Sequence, residues 1–253
     1  MSFEEIVALV KSHPIATLLT IGVASEIIWR TYIYVRKNAL TSKRKVHEVL
    51  FFNEKGGSCL AKHLQNTHKM PRPTIFPDSQ CRNEFCTSKH THRIAYEMDQ
   101  AQYSLDLAIY TLTSVTLIDA INRSLERGVI VRLISDHEMV DSSGSQIRSM
   151  VGARVPVRCP DSNSMMHHKF CVIDGEARVN EILELKKRKS VRPYNSILIS
   201  GSVNWTRQGL GGNWENCIIT SDKVLTKSFQ AEFRRMWNAF KSTANTVSAH
   251  KKK

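Results

Sequence analysis

The stretch Met166-His167-His168-Lys169-Phe170-Cys171-Val172-Ile173-Asp174 decides the fold. The apolar, β-favouring run Phe170 to Ile173 predicts a strand. Successive side chains alternate across a strand, so His167 and Lys169, two residues apart, should point to one face. Asp174 lies at an odd offset from Lys169 and should support the motif from the other face. A histidine beside a fixed cation suits a nucleophile or acid–base group next to an anion clamp, although a solvated strand end is the plainer interpretation.

Two further motifs follow, Gly201-Ser202-Val203-Asn204-Trp205-Thr206 and Trp214-Glu215-Asn216. His-x-Lys-x4-Asp followed by Gly-Ser-x-Asn resembles the signature of the phospholipase D superfamily, whose phosphodiesterases act on lipids and on nucleic acids. The residues of both motifs are similar to those of one branch of the superfamily, the Zucchini or mitochondrial phospholipase D family. The resemblance covers roughly residues 49–240 and implies an α/β fold, a phospholipase D-like mixed β-sheet flanked by helices.

The composition indicates which kind of partner the chain binds. A formal net charge of +13 over 253 residues points to a polyanion, either nucleic acid or an anionic membrane surface. The chain is long enough for one sizeable domain plus an appendage. Six cysteines without a visible cleavable signal peptide favour metal binding or burial over a disulfide framework.

The most apolar stretch, Pro14 to Val35, is about long enough to span a bilayer. Glu26 and Arg30 interrupt it at a spacing that lets them pair on one helix face. Basic residues follow at once, so the remainder of the chain should face the cytosol. A soluble amphipathic helix is the alternative. The resemblance suggests the mitochondrial outer membrane, with a single-pass N-terminal anchor.

We therefore expect a membrane anchor over residues 1–36, a phospholipase D-like catalytic domain over 37–245 and a basic tail over 246–253. Within the domain, the patterns predict strands at 45–52, 104–110, 129–135, 155–158, 196–200 and 216–220, and helices at 90–102, 114–127, 145–150 and 223–240. The β-α-β order implies parallel pairing of the second and third strands. The basic segment 175–195 is predicted to be a surface hairpin extension between adjacent strands. Its basic run Lys186-Lys187-Arg188-Lys189 has three open interpretations: a solvated loop, a contact with the RNA backbone, or a resemblance to a nuclear-localisation signal, which a membrane anchor disfavours.

A loop-rich insert, about residues 53–92, suggests a structural zinc site. It contains three cysteines and four histidines: Cys59, Cys81, Cys86, His63, His68, His90 and His92. Their spacings match no common zinc finger, and buried or free thiols are the alternative. The resembled family carries a Cys3His site here that ends in Cys-x3-His, which implies Cys59, Cys81, Cys86 and His90, with His92 as the competing fourth ligand. Such a metal would brace a poorly cored loop.

Phosphodiester chemistry assigns a role to each motif residue. His167 can attack phosphorus and form a phosphohistidine. Glu215 is the candidate acceptor that fixes the other ring nitrogen of His167, because the nuclease branch of the superfamily carries Glu-Asn at the matching place. Lys169, Ser202 and Asn204 can donate to the phosphoryl oxygens. No catalytic metal is expected.

One chain supplies one such set, because the only other His-x-Lys, at His250, is followed by the chain end without an Asp. In the superfamily two sets combine, so we predict a two-fold homodimer with a composite active site.

Two substrates fit this chemistry, and a catalytically silent scaffold is a third hypothesis. Single-stranded RNA would be cut to leave 5′-phosphate ends, and a phospholipid such as cardiolipin would yield phosphatidic acid. RNA is preferred because we expect no apolar groove beside Met165 and Met166, while Arg158, Arg192 and Arg207 would line a basic groove for a single strand. The resemblance implies RNA cleavage in piRNA biogenesis, with PIWI-pathway proteins as partners.

Overall fold

The computed structural model describes residues 11–40, 44–59, 63, 81–162, 164–187 and 192–243. The chain divides into two compact units, residues 1–42 and 43–253, and we call the second unit the body. The first unit contains helix α1, Pro14–Leu40, within which Pro14–Val35 is long and apolar enough to cross a membrane. Arg30 Nε donates to Glu26 Oε1 at 2.7 Å, which confirms the predicted pairing. An ion pair of this kind offsets part of the cost of placing charge in an apolar helix.

The body is built on one mixed sheet with helices on both faces, as predicted. In chain order its elements are β1 His47–Phe52, α2 Thr87–Asp99, β2 Ser104–Ile109, α3 Val115–Glu126, β3 Ile130–Ile134, α4 Ile147–Gly152, β4 Val157–Cys159, β5 Lys169–Ile173, α5 Glu176–Leu185, β6 Ile197–Gly201, α6 Arg207–Gly211, β7 Glu215–Thr220, α7 Lys223–Ala239 and β8 Lys241–Ser242. The strand order is β1-β7-β6-β5-β2-β3-β4-β8. Strands β2, β3 and β4 run parallel to one another, and all other neighbours are antiparallel.

Strand β5 is buried on both faces, because helices cover both. Cys171 and Ile173 join the apolar cluster that includes residues of α2 and α3, whereas Phe170 and Val172 pack in a second cluster with α7. A strand covered on both sides has no solvent-facing row, so its sequence is a continuous apolar run rather than an alternation.

The segment 175–195 is predicted to be a hairpin, but ten of its residues form helix α5. Val179 and Ile182, one helical turn apart, are buried against Tyr103 and Tyr194, which supplies the packing that favours a helix. The flanking strands β5 and β6 are adjacent, as predicted. Arg188 and Lys189 of the basic run and the tail 246–253 lie outside the described residues.

The strand directions give the body two functionally distinct ends. Strand β5 begins with Lys169, β6 ends with Gly201 and β7 begins with Glu215, so the three sequence motifs meet at one end, which we call the motif end. The opposite end receives the chain at Arg44 and contains Asp174, and we call it the tether end. The six residues of β7 separate the two ends by roughly 17 Å, at about 3.3 Å per residue.

Candidate functional site

Strand pairing brings the three motifs side by side. Phe170 pairs with Ser200, so Lys169 lies beside Gly201, which in turn pairs with Cys217. A Cβ atom at Gly201 would lie 2.1 Å from the carbonyl oxygen of Asn216. Glycine is therefore required at this position, because β6 and β7 approach too closely at the motif end for any side chain.

His167 lies two residues before β5 begins, not within the strand as predicted. Its exposed ring lies edge-on to Tyr110, with ring centroids 4.7 Å apart. Lys169 Nζ lies 5.2 Å from the centroid of the same tyrosine ring and donates to the backbone oxygen of His167 at 2.8 Å. The histidine and the lysine therefore converge on one aromatic ring, as expected for groups on one face.

Tyr110 is a site residue that sequence reasoning missed. It follows the last residue of β2, and its backbone N–H donates to the carbonyl of His168 at 2.9 Å. Nothing in the local sequence marks it. Its position beside His167 follows only from the antiparallel pairing of β2 with β5.

The Lys169 ammonium is largely removed from water. Burial lowers the pKa of Lys169, and the nearby negative charge of Glu215 opposes that effect. Within the part of the chain that the structure describes, the His167 carbonyl is the one hydrogen-bond acceptor of Nζ. An ammonium has three donors. Two remain for a bound phosphoryl group, whose attraction to a partly desolvated cation exceeds that in bulk water.

The Gly-Ser-x-Asn motif supplies further polar groups. Ser202 Oγ accepts from the backbone N–H of Asn216 at 3.1 Å, which leaves the hydroxyl proton to donate elsewhere. Asn204 Oδ1 is buried and has no hydrogen-bond partner among the described residues. A Cβ at Gly209 would lie 2.4 Å from the Asn204 backbone oxygen, so that glycine lets α6 pack against the motif. Trp205 is 1% exposed and packs in the core.

Glu215 opens β7 at the motif end, and its Oε1 accepts from the Asn213 side chain at 3.2 Å. Its charge acts on Lys169, but within one described chain it makes no hydrogen bond to His167. Catalytic hydrogen bonds often form only in the assembled complex. The orienting role of Glu215 therefore stays a prediction for the two-chain site.

Asp174 lies at the far end of β5 and supports the sheet. Its buried carboxylate accepts backbone N–H bonds from Gln102 at 2.7 Å, Tyr103 at 2.7 Å and Ser104 at 2.8 Å, which fixes the start of β2. Burial raises the pKa of Asp174 to about 6, and the three bonds act in the opposite direction. This geometry gives Asp174 the supporting position that its odd offset from Lys169 indicates.

The three arginines predicted to line one groove do not lie together. Arg192 packs over Tyr103 and donates to the Gln102 carbonyl at 2.6 Å, which places it at the tether end. Arg158 stacks on Trp237, 4.6 Å from its ring centroid, and bonds the Trp237 carbonyl. Arg207 is exposed in the first turn of α6, near Asn204. Strand direction puts Arg192 at the end opposite the motif, whereas Arg158 is level with Phe170 through the register of β4, β3, β2 and β5, and both Arg158 and Arg207 lie toward the motif end.

A cavity of about 540 Å³ lies beside His167. It is lined by Met165, Met166, His167, His168, Glu232, Arg235, Met236, Ala239 and Phe240. Met165 is 61% exposed. The prediction that no apolar surface borders the motif is therefore wrong, since the end of α7 supplies apolar side chains that are remote in sequence.

Three of the predicted metal ligands lie close together, and the fourth residue beside them, His63, is not one of the predicted ligands. The ligand atoms of Cys59, His63, Cys81 and Cys86 all lie within 4.8 Å of one another. A tetrahedral ion with thiolates at about 2.3 Å and imidazole at about 2.0 Å holds its ligand atoms roughly 3.5–4 Å apart, so this set could hold a metal ion. Burial raises the pKa of Cys59, but hydrogen bonds from Asn83, Cys86 and Cys81 outweigh burial and leave that pKa below its usual value.

His90, the predicted fourth ligand, lies outside this cluster. It is 8% exposed and packs edge-to-face on Phe52 with ring centroids 5.2 Å apart. His92, the competing candidate, is directed instead to the Ser88 carbonyl, 2.9 Å from its Nδ1. The spacing of Cys59 and His63 could have identified the actual fourth residue, because positions four apart share a helical face.

Comparison with known proteins agrees with the three motifs. The family model described as "Cardiolipin synthase, PLD-like domain" matches residues 94–237, which contain all three motifs. A mitochondrial cardiolipin hydrolase of Drosophila melanogaster is 49% identical over 239 residues, 92% of this chain and 93% of that protein. One of Xenopus tropicalis is 31% identical over 230 residues, 89% of each.

Two solved structures are similar in fold. Nuc of Salmonella typhimurium, a phospholipase D family member, superposes with a TM-score of 0.50 at 17% identity, covering 79% of this chain and 98% of that one. NucT of Helicobacter pylori gives 0.51 at 16% identity, covering 79% and 99%. At such identities these likenesses support the fold alone.

Proposed function

Because the chain belongs to the mitochondrial cardiolipin hydrolase, or Zucchini, family of phospholipase D-like hydrolases, we propose that it is an endoribonuclease that cuts single-stranded RNA and leaves 5′-phosphate ends. One observation carries the phosphodiesterase chemistry of this proposal. The motif end presents an exposed histidine beside a largely buried lysine, a Ser202 hydroxyl whose proton can donate, and an Asn204 side-chain oxygen without a partner among the described residues.

In the first step, one imidazole nitrogen of His167 attacks phosphorus, and the bond from phosphorus to the 3′-oxygen breaks. The electron pair of that bond stays on the 3′-oxygen, which takes a proton from a general acid. The ammonium of Lys169, the Asn204 amide and the Ser202 hydroxyl donate to the phosphoryl oxygens, whose charge is spread in the transition state.

In the second step, water attacks the phosphohistidine and releases the 5′-phosphate, with its proton going to the same acid–base group. The 2′-hydroxyl takes no part, so the products carry no 2′,3′-cyclic phosphate. Within one described chain, the motif end offers one His-x-Lys set, and we propose that the proton donor is a second histidine. We propose that it comes from His167 of a second copy in a two-fold homodimer, with Glu215 orienting the rings across the composite site.

The setting of the enzyme is proposed on separate observations. Helix α1 is long and apolar enough to anchor the chain, and the relatives are named as mitochondrial. We propose a single-pass anchor in the mitochondrial outer membrane with the body in the cytosol, where RNA and PIWI-pathway proteins would reach it for piRNA biogenesis. The Cys59, His63, Cys81 and Cys86 cluster would hold a structural zinc ion, which ties together loops that share little apolar core.

Phospholipid hydrolysis is the second candidate, and two observations favour it. The relatives are named cardiolipin hydrolases, and the methionine-lined cavity beside His167 offers acyl chains an apolar surface. Cardiolipin contains phosphodiesters that the same two-step chemistry would open to phosphatidic acid. The cavity is rimmed by Glu232 and Arg235 and lies open to solvent at Met165, so it could also seat a nucleobase.

The experiment that separates the two substrates uses the full chain in detergent micelles. It receives 5′-labelled single-stranded RNA with EDTA and, in parallel, fluorescent cardiolipin. We expect RNA products that ligate to a 3′-hydroxyl adaptor, loss of cleavage by at least about a thousandfold in His167→Ala, and no loss in the matched control His47→Ala on the exposed side of β1. Cardiolipin turnover without RNA cleavage, reduced by Met165→Ser, would replace the nuclease with the lipase.

A further inference from the structure

The tether end of the body is held rigidly at the point where the chain arrives from α1. The Ser221 N–H donates to the Val46 carbonyl at 2.8 Å, and the Val46 N–H donates to Ser221 Oγ at 3.0 Å. The Asn195 side chain donates to the Arg44 carbonyl at 3.0 Å. The first residues of the body are therefore bound both to the loop that precedes α7 and to the loop that precedes β6.

These segments carry exposed apolar side chains flanked by lysines. Val224 is 73% exposed and Leu225 46% exposed in the first turn of α7, and Leu185 is 74% exposed at the end of α5. The exposed basic neighbours are Lys186, Lys187, Lys223 and Lys227. Four acidic groups lie on the same elements, Glu176, Glu181 and Glu184 on α5 and Asp222 before α7. Glu181 pairs with Arg178 at 2.8 Å, and Asp222 Oδ1 caps α7, 2.9 Å from the Leu225 nitrogen. Apolar side chains ringed by lysines are typical of surfaces that rest in a lipid headgroup layer.

The sequence leaves few residues between α1 and this surface. Only residues 41–43 separate the last residue of α1 from Arg44, and an extended chain covers at most about 3.6 Å per residue. The linker itself contains Lys43, followed by Arg44 and Lys45. Anionic headgroups favour each basic side chain near them by a factor of roughly five. The basic residues of the linker and of this surface outnumber the four acids: Lys43, Arg44, Lys45, Lys186, Lys187, Lys223 and Lys227.

We propose that the tether end is a docking surface for the anionic bilayer that holds α1. Leu185, Val224 and Leu225 enter the headgroup layer, the surrounding lysines contact lipid phosphates, and the motif end points away from that bilayer. The inference rests on the membrane anchor in the proposed function and deepens it, because a site about 17 Å from the docked surface meets a substrate from the aqueous phase. It also gives the basic segment after α5 a role, which sequence analysis left open.

The test measures which lysines the bilayer covers. The full chain is reconstituted in phosphatidylcholine vesicles with and without cardiolipin, and outward-facing bodies are labelled with a membrane-impermeant amine reagent. Mass spectrometry then compares the tether-end lysines with Lys55, which is exposed beyond the opposite end of β1. Relative to micelles, we expect labelling at the tether end to fall about fivefold or more in cardiolipin vesicles, while labelling of Lys55 stays constant.

A variant separates docking from simple proximity. Val224→Asp combined with Lys227→Glu changes only exposed positions of α7 and should restore labelling of Lys186 and Lys187 in vesicles, with RNA cleavage in micelles unchanged. Equal labelling at both ends in cardiolipin vesicles would overturn the proposal, as would protection of Lys55 or protection of the tether end by RNA in place of lipid. RNA cleavage is measured on the same vesicles, so a protected tether end without cleavage refutes the nuclease alone, and cleavage with an unprotected tether end refutes the docking alone.

Discussion

Replacing Asp174 by alanine removes the shared acceptor of three backbone N–H groups at the start of β2. Tyr103 and Ser104 are buried, so their N–H groups gain no water in exchange, whereas Gln102 is partly exposed. Each buried orphan donor costs about 1–3 kcal/mol. Asp174 also adopts φ of 47°, which aspartate tolerates better than alanine does. The lost contacts therefore amount to about 2–6 kcal/mol.

Ionisation of the Asp174 carboxyl reduces the destabilisation expected for Asp174→Ala near neutral pH. Burial raises the pKa of Asp174 from 3.8 to about 6. A shift of this size corresponds to a cost of the order of 3 kcal/mol for the ionised form in the folded state. Since the folded pKa lies above the unfolded one, the favourable contribution is complete below about pH 4 and is lost as pH rises through about 6. Asp174→Ala should thus destabilise the body more at pH 4 than at pH 7.

The assay is urea unfolding of the full chain in micelles at both pH values, followed by near-ultraviolet circular dichroism and extrapolated linearly. Asp119→Ala, at an exposed position of α3, is the control and should change the unfolding free energy by less than about 0.5 kcal/mol. Two results would refute the reasoning: a cost that grows from pH 4 to pH 7, or native stability with abolished RNA cleavage. The second result would make Asp174 a catalytic group rather than a support.

Three further predictions follow from the site and the core. His63→Ala should lower the bound zinc per chain by at least tenfold in elemental analysis, while His90→Ala should leave it unchanged; the reverse pattern would restore the original ligand assignment. Asp106→Ala should cost about 3–5 kcal/mol in urea unfolding, because Arg132 Nε, 2.7 Å from that carboxylate, would be left as an unpaired buried cation; a neutral change would contradict this. Lys169→Ala should slow single-turnover RNA cleavage by about 10²–10³-fold while changing filter-binding affinity far less, and an unchanged rate would remove the lysine from the transition state.

Local patterns predicted most of the body correctly for identifiable reasons. The apolar run of β5 is typical of a buried strand, and the apolar stripe of α3 is typical of an amphipathic helix. The predicted positions of both elements therefore agree with the observed ones within a few residues. The motif residues meet because strand pairing aligns the start of β5 with the end of β6. The local pattern does not specify that register, because β5 is buried on both faces and a shift by one residue would still place apolar side chains on each face.

The features that the sequence did not predict depend on contacts between segments that are distant in the chain. Helix α5 forms because Val179 and Ile182 pack against Tyr103 and Tyr194, and neither tyrosine belongs to that helix. The apolar wall beside His167 comes from the last turns of α7, about 70 residues away in the chain. His90 lies outside the cluster that could hold a metal ion because its ring packs against Phe52, a contact made between β1 and α2.

The central claim is that His167 is half of a two-chain active site that cuts RNA. Heterodimers of one wild-type chain and one His167→Ala chain, isolated with two different affinity tags, test it most directly on 5′-labelled single-stranded RNA. If one histidine attacks and its symmetry mate protonates the leaving oxygen, the heterodimer should retain less than about 1% of wild-type activity. About half of wild-type activity in the heterodimer, or full activity in a species that sediments as a monomer, would contradict the account.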